Sequence, residues 1–330
     1  MAAAIESPTF GRSYPLSKGQ EQEKIEAFPP SVSLVTGLGR VNWEAYNDVA
    51  NVIKNQGIAV VDYGATFATV FDPHIREKVG EARKEKGPPY VPVSLMSTAS
   101  EANKFVDFAQ IPKKLAADLP DLEDMLEGEA FLRLPAIANA EDILGKYTVS
   151  WKSFWIDERK IQFFFLPNND PLLNILLHAN PRIPALGVRS ANLEGEPERT
   201  MPSEAYRFAK RLGADIFATR FSEKAHAKKE RVGSMPIIEI PTNEQVRLDD
   251  GKMILRIIRN GNIHPETLRR QIMHILPYVE FQEALEKPQP EYRQMYYSFY
   301  KTPEAIKRDI QRKSGENPHL RQKIADLLRR

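Results

Sequence analysis

The chain has 330 residues, 42% of them hydrophobic, enough to bury a substantial core. A formal net charge of +2 is too small to mark a nucleic-acid binder by electrostatics alone. The absence of cysteine excludes disulfides, thiolate metal sites and a cysteine nucleophile, and suits an intracellular protein.

Residues 1–30 are rich in Ser, Pro, Gly and charge and are predicted as a loose arm, with the domain boundary at residue 40. The N-terminus has no apolar run of signal-peptide length, and the most apolar window, Ile161 to Leu177, is broken by "PNNDP". A cytoplasmic protein that does not enter membranes is expected. Tyr46, Val49, Ala50 and Ile53 fall at helical spacing and predict a helix from Asn42 to Lys54. "GIAVVDYG" (Gly57 to Gly64) reads as a buried strand between glycines. An Asp72-Pro73 cap opens a helix predicted to run to about Lys86. "YVPVSLMS" is a strand leading to a helix capped near Ser97 to Ser100, and Leu115 to Asp142 has a mixed helical pattern.

"KYTVSWKSFWID" and "KIQFFFLP" alternate and are joined by "DERK", as in a hairpin. "DPLLNILLHA" gives a short helix, "IPALGVRS" a strand, "PSEAYRFAKRLG" a helix opening in a capping box, and "ADIFATR" a strand. "SMPIIEIP" and "KMILRIIRNG" follow as strands and "HPETLRRQIMHIL" as a helix. Hairpins and crossovers together predict an α/β fold, a mixed sheet with helices packed on it. The main domain is predicted over 41–280. Residues 281–330, rich in Tyr, Arg and Lys, read as a helical extension: a lid, a dimer contact or an RNA surface.

Motifs of conventional catalysis are absent: no dinucleotide fingerprint, Walker loop, zinc-protease signature or nucleophile elbow. "RKEK" (Arg83 to Lys86) fits the solvated end of a helix, where cations favour the dipole. The segment "LGVRSANLEGEP" is more informative. Ser190 and Asn192 stand two apart at the carboxyl end of a strand, where α/β proteins bind ligands, and Gly195 lets backbone approach closely. An Asn-centred turn accounts for the same residues, so by themselves they leave both readings open.

At this segment the sequence resembles the YrdC-like family, the threonylcarbamoyl-adenylate synthases, whose strand ends Thr-Ser-Ala-Asn-x-Ser-Gly-x-Pro; here it stands as "RSANLEGEP". Other family marks follow in order. "GIAVVDYGATFATVFDP" is similar to the glycine–strand–Pro-Thr stretch, with Asp62 and Tyr63 in place of Pro-Thr. "ARKEKGPP" resembles Lys-x-Arg-Pro, giving Lys84 and Lys86, while the second lysine is missing from "YVPVSL". "LGKYT" keeps Gly145 and Thr148, and phenylalanine near Phe164 or Phe165 replaces an arginine. "SMPIIEI" retains Ser234, and "IIRNGNI" retains Arg259 and Gly261.

The resemblance implies a twisted mixed sheet with flanking helices and a concave basic cleft. It implies synthesis of threonylcarbamoyl-AMP from L-threonine or another small amine, bicarbonate and ATP with Mg2+, releasing pyrophosphate, in tRNA modification. Lys84, Lys86 and Arg259 would hold phosphates or a carboxylate in catalysis; Ser190, Asn192, Ser234 and Thr148 would bind the nucleotide or substrate. The alternative is a non-catalytic paralogue that binds nucleotide or double-stranded RNA. A homodimer is compatible with both.

Overall fold

Short runs of Val, Ile, Leu and Phe pair into one sheet, and in the central runs every residue is buried. The computed structural model describes residues 29–36, 39–83, 92–149, 159–179, 184–192, 199–227, 233–259 and 261–283. Its strands are β1 (Ser31–Ser33), β2 (Ile58–Asp62), β3 (Phe67–Phe71), β4 (Ser94–Ser97), β5 (Phe131–Pro135) and β6 (Lys160–Phe165). They continue with β7 (Leu186–Ser190), β8 (Ile216–Thr219), β9 (Ile237–Glu239), β10 (Ile254–Arg259) and β11 (Glu280–Glu283). The helices are α1 (Trp43–Lys54), α2 (Arg76–Ala82), α3 (Ala99–Ala102), α4 (Lys113–Leu126) and α5 (Ala140–Leu144). After them come α6 (Pro171–Ala179), α7 (Pro202–Leu212), α8 (Glu223–His226), α9 (Asn243–Leu248) and α10 (Pro265–Ile275).

The sheet order is β1-β8-β2-β3-β7-β4-β6-β5-β9-β10-β11, with parallel and antiparallel pairs mixed, as expected. Alternate side chains feed two cores. Phe67, Phe71, Leu95, Phe163, Leu132 and Ile238 point to the face that packs with α4, α7 and α10. Ala68, Val70, Met96, Phe164, Val188 and Met235 point to the other face, shared with α1 and α6. Burying each such large side chain contributes about 1.5–3 kcal/mol. Helix α1 touches β2, β8 and α6, at one end of that second face; the middle of the sheet there is left concave.

Several boundaries differ from the sequence reading. Ser31–Ser33, assigned to the arm by the boundary at residue 40, runs parallel to β8 at the sheet edge. β5 emerges from the stretch read as mixed helix, and β11 reaches past the boundary at 280 to pair with β10. Of the expected hairpin, residues 150–158 lie outside the described residues; Val149 forms an antiparallel bridge to Ile161. Helix α7 starts after Met201 without a side-chain cap, whereas Thr242 and Gln245 form a capping box on α9. Most of the arm and the extension beyond 283 lie outside the described residues. Among the described residues no helix is long and apolar enough to cross a membrane.

Buried ionisable groups link the layers, Lys160, Glu239 and Glu123 among them. Lys160, fully buried on β6, donates to the Ile240 carbonyl (3.0 Å) and Gln245 Oε1 (3.1 Å) and faces Glu239 Oε1 at 3.5 Å. Gln245 Nε2 donates to the same carboxylate at 3.2 Å. Elsewhere, Glu123 on α4 is 2% exposed and accepts one hydrogen bond from Asn103 Nδ2 at 3.1 Å. Glu123 Oε1 and Asn103 Oδ1 are both buried without a partner. Burial and the neighbouring Asp124 charge, against the Asn103 bond, raise the Glu123 carboxyl to about 7.

Candidate anion-binding cavity

The concave stretch of sheet forms a cavity of about 340 Å³, within the size range of small-molecule sites. Its floor is laid down by register. Ser94, Gln162 and Arg133 sit side by side on β4, β6 and β5 and are joined by side chains: Arg133 Nε donates to Gln162 Oε1 (2.7 Å), and Gln162 Nε2 to Ser94 Oγ (2.6 Å). Two residues along each strand, on the same face, lie Met96, Phe164 and Phe131, followed by Ile237 on β9. The phenyl rings of Phe131 and Phe164 are 4.9 Å apart.

The walls come from distant segments. Val188, Arg189 and Ser190 close one side from β7; Ser234, Met235 and Arg259 close the other. Arg259 Nε donates to the Met235 carbonyl at 3.0 Å, and the Asn262 amide donates to Ser234 O at 2.7 Å. Gly261, at φ +62°, makes this packing possible. A Cβ there would lie 2.3 Å from Pro236 N and 2.7 Å from Ser234 O. Gly261→Ala should therefore lower stability by at least about 1–3 kcal/mol and weaken anion binding, checked by urea denaturation and calorimetric titration.

Tyr63 and Thr66 border the cavity on the turn after β2. Asp62 fixes that turn. It is fully buried and accepts from the Gly64 amide (2.7 Å) and the Arg220 amide (2.8 Å), and its Oδ2 lies 2.8 Å from His226 Nε2. Burial alone would raise the Asp62 carboxyl, but the bonds from His226, Arg220 and Gly64 outweigh it and hold the group below its ordinary value. The residue in place of the family's proline is thus an internal brace. The next, Tyr63, presents a ring backed by the Arg220 guanidinium 5.7 Å from its centroid.

The structure brings Ser190, Ser234 and Arg259 to this one cavity. Asn192 sits beside it, its Oδ1 accepting from Ser190 Oγ at 2.5 Å. Thr148 is not among the lining residues: it is fully buried and its hydroxyl donates to the Gly145 carbonyl at 2.7 Å. Lys84 and Lys86, like Gly195, lie outside the described residues. The residue before them, Arg83, is buried; its Nη1 donates to Ser190 O at 2.6 Å, and its guanidinium lies 5.9 Å from the Phe208 ring centroid.

Arg133, Arg189 and Gln162 line the cavity without having been singled out from the sequence. Three arginines and three serines are among the lining residues, and among the described lining residues there is no carboxylate. Such a surface attracts anions, and guanidinium groups match the oxygens of phosphate or carboxylate. The described residues offer no cluster of three or more His, Cys, Asp or Glu that could hold a metal ion.

The mixed α/β sheet with its concave centre defines the fold class. Among solved structures the fold is shared with P. abyssi Sua5 complexed with L-threonine, at TM-score 0.51 and 14% identity over 76% of this chain. It is shared also with the hypothetical protein smu.1377c of Streptococcus mutans, at TM-score 0.51 and 12% identity over 78% of this chain and all of that one. The chain has the fold of the Sua5/YrdC proteins, as the resemblance implied. It spans 62% of the length of P. abyssi Sua5. No protein-family model matches the sequence, and no curated protein does.

Proposed function

We propose that the cavity binds the phosphate of a nucleotide and forms an adenylate there. The presence of Arg133, Arg189 and Arg259 with Ser94, Ser190 and Ser234 around one cavity supports this reading. The amine condenses with bicarbonate to a carbamate, releasing water, and the carbamate reacts with ATP to give a carbamoyl-type adenylate, of the kind used in tRNA modification, and pyrophosphate. The carbamate oxygen attacks the α-phosphorus as the bond to pyrophosphate breaks, so no enzyme nucleophile is required. The protein's share is to align the reactants and neutralise charge on the phosphoryl oxygens. Arginines supply that charge and serine hydroxyls orient the oxygens. L-threonine is bound by P. abyssi Sua5; it and other small amines are the acceptors to test.

Pyrophosphate release that requires both bicarbonate and an amine tests the reaction. Arg259→Ala should slow it about 10²-fold or more. A second reading is favoured by Phe164, which stands in the floor near where the family carries an arginine: a paralogue that binds nucleotide, or RNA, without turnover. Tight AMP binding with no pyrophosphate release from any amine would select that reading. RNA affinity falling steeply with salt would point to RNA.

A further inference from the structure

On the reading that the cavity holds a phosphate, we infer that Gln162 is a positioning residue that makes Ser94 an obligate hydrogen-bond donor to the ligand. A guanidinium carries only donors, so the Gln162 oxygen is the atom that faces Arg133, and the amide cannot turn over. The amide nitrogen, which only donates, is thereby aimed at Ser94 Oγ. Ser94 Oγ accepts that bond, and its own proton cannot return along it. Among the described residues no acceptor takes that proton. Ser94 lines the cavity, so the proton is left for the occupant.

Ser94, Gln162 and Arg133 are all buried, on neighbouring strands whose register sets their spacing. Through the amide, Ser94 Oγ and Arg133 Nε are at most about 7.5 Å apart, given roughly 2.2 Å between the amide oxygen and nitrogen. A phosphoryl group hydrogen-bonded through two of its oxygens spans about 8 Å from donor to donor. One such group therefore reaches the serine and the guanidinium together. The consequence is selection: the ligand atom beside Ser94 has to be an acceptor. A ligand that places an N–H or O–H there leaves two donors facing each other without a partner. A row that merely ties three strands together predicts no such direction.

A double-mutant cycle in AMP affinity, read by titration calorimetry, separates the two. Ser94→Ala should weaken AMP about tenfold or more, the loss of one hydrogen bond to a charged group. Gln162→Glu keeps an acceptor for Arg133 and, paired with that guanidinium, stays ionised. It also offers an acceptor to Ser94, whose proton then turns away from the cavity. The added charge weakens AMP whichever residue stands at 94, and so drops out of the cycle. In the Gln162→Glu background Ser94→Ala should therefore cost less than about twofold. A tenfold cost in both backgrounds, or no cost in the wild type, would overturn the inference while the phosphate reading stands. No AMP binding by the wild type would overturn both. Where Gln162→Glu does not fold, NMR of the wild type decides instead. The Gln162 Nε2 protons should show Overhauser contacts to the Ser94 Hβ protons and should shift when AMP binds. Absent contacts, or amide signals that ignore bound AMP, would overturn the inference.

Discussion

Lys160→Met should destabilise the protein by about 3–5 kcal/mol, because it strands the Glu239 carboxylate in the interior. That loss corresponds to a melting temperature lower by roughly 10 °C, taking about 2–4 °C per kcal/mol. Each of the three ammonium protons has a partner within 3.5 Å, from Ile240, Gln245 and Glu239. Glu239 is 1% exposed, and the neutral Gln245 Nε2 donates to the same oxygen at 3.2 Å. The pair is a matched unit rather than a net source of stability, since desolvating both charges offsets most of their attraction. Hence Lys160→Met combined with Glu239→Leu should recover most of the loss. Differential scanning calorimetry of the single and double variants checks both statements. Glu239 is also the register partner of Arg133, so removing the Lys160 charge makes the region beside the cavity more negative and should weaken anion binding as well.

The second large effect is a pH dependence centred on Glu123. Its carboxyl is raised from an ordinary 4.5 to about 7 in the folded protein. Between those values the folded state holds a proton that the unfolded chain has released. The stabilisation is therefore fully present below pH 4.5, declines as pH rises, and is gone above about 7. The difference amounts to about 3 kcal/mol. Protonation supplies the donor that the buried, unpartnered Glu123 Oε1 and Asn103 Oδ1 lack. Glu123→Gln carries such a donor at every pH. At pH 8.5 it should be more stable than the wild type by up to about 3 kcal/mol, and near pH 4.5 the two should coincide. Urea unfolding across that range measures it. Curves that stay parallel from pH 4.5 to 8.5 would contradict the assignment.

Local patterning made part of this structure legible. β2 and β10 show as apolar runs bounded by glycines, and α1 and α10 show their caps and spacing. β5 was hidden because "FLRLP" follows Leu115, Leu119, Leu122 and Leu126, whose helical period runs straight into it. A five-residue stretch, apolar but for Arg133, is too short to show a period that distinguishes strand from helix. With β5 went Arg133, whose partners are decided by register with β6 and β9, 29 and more residues away.

The site divides in the same way. Ser190, Ser234 and Arg259 were visible through short local motifs, and the sheet brings them to one cavity. Thr148 sat in an equally local motif, but there the hydroxyl serves the Gly145 loop. The Asp62–His226 contact spans 164 positions, and nothing in "KAHAKK" announces a partner for the histidine. Departures from the family pattern at 62 and 63 acquire a physical meaning only from the fold: one residue braces the turn and the other walls the cavity.

Isothermal titration of AMP into the wild type and into Arg189→Met and Arg259→Met most directly tests the claim that this cavity is built for a phosphate-bearing ligand. Saturable binding to one site, weakened about tenfold or more by each substitution and diminished by added salt, is the predicted result. Binding that both variants leave unchanged, or no binding by the wild type, would contradict it.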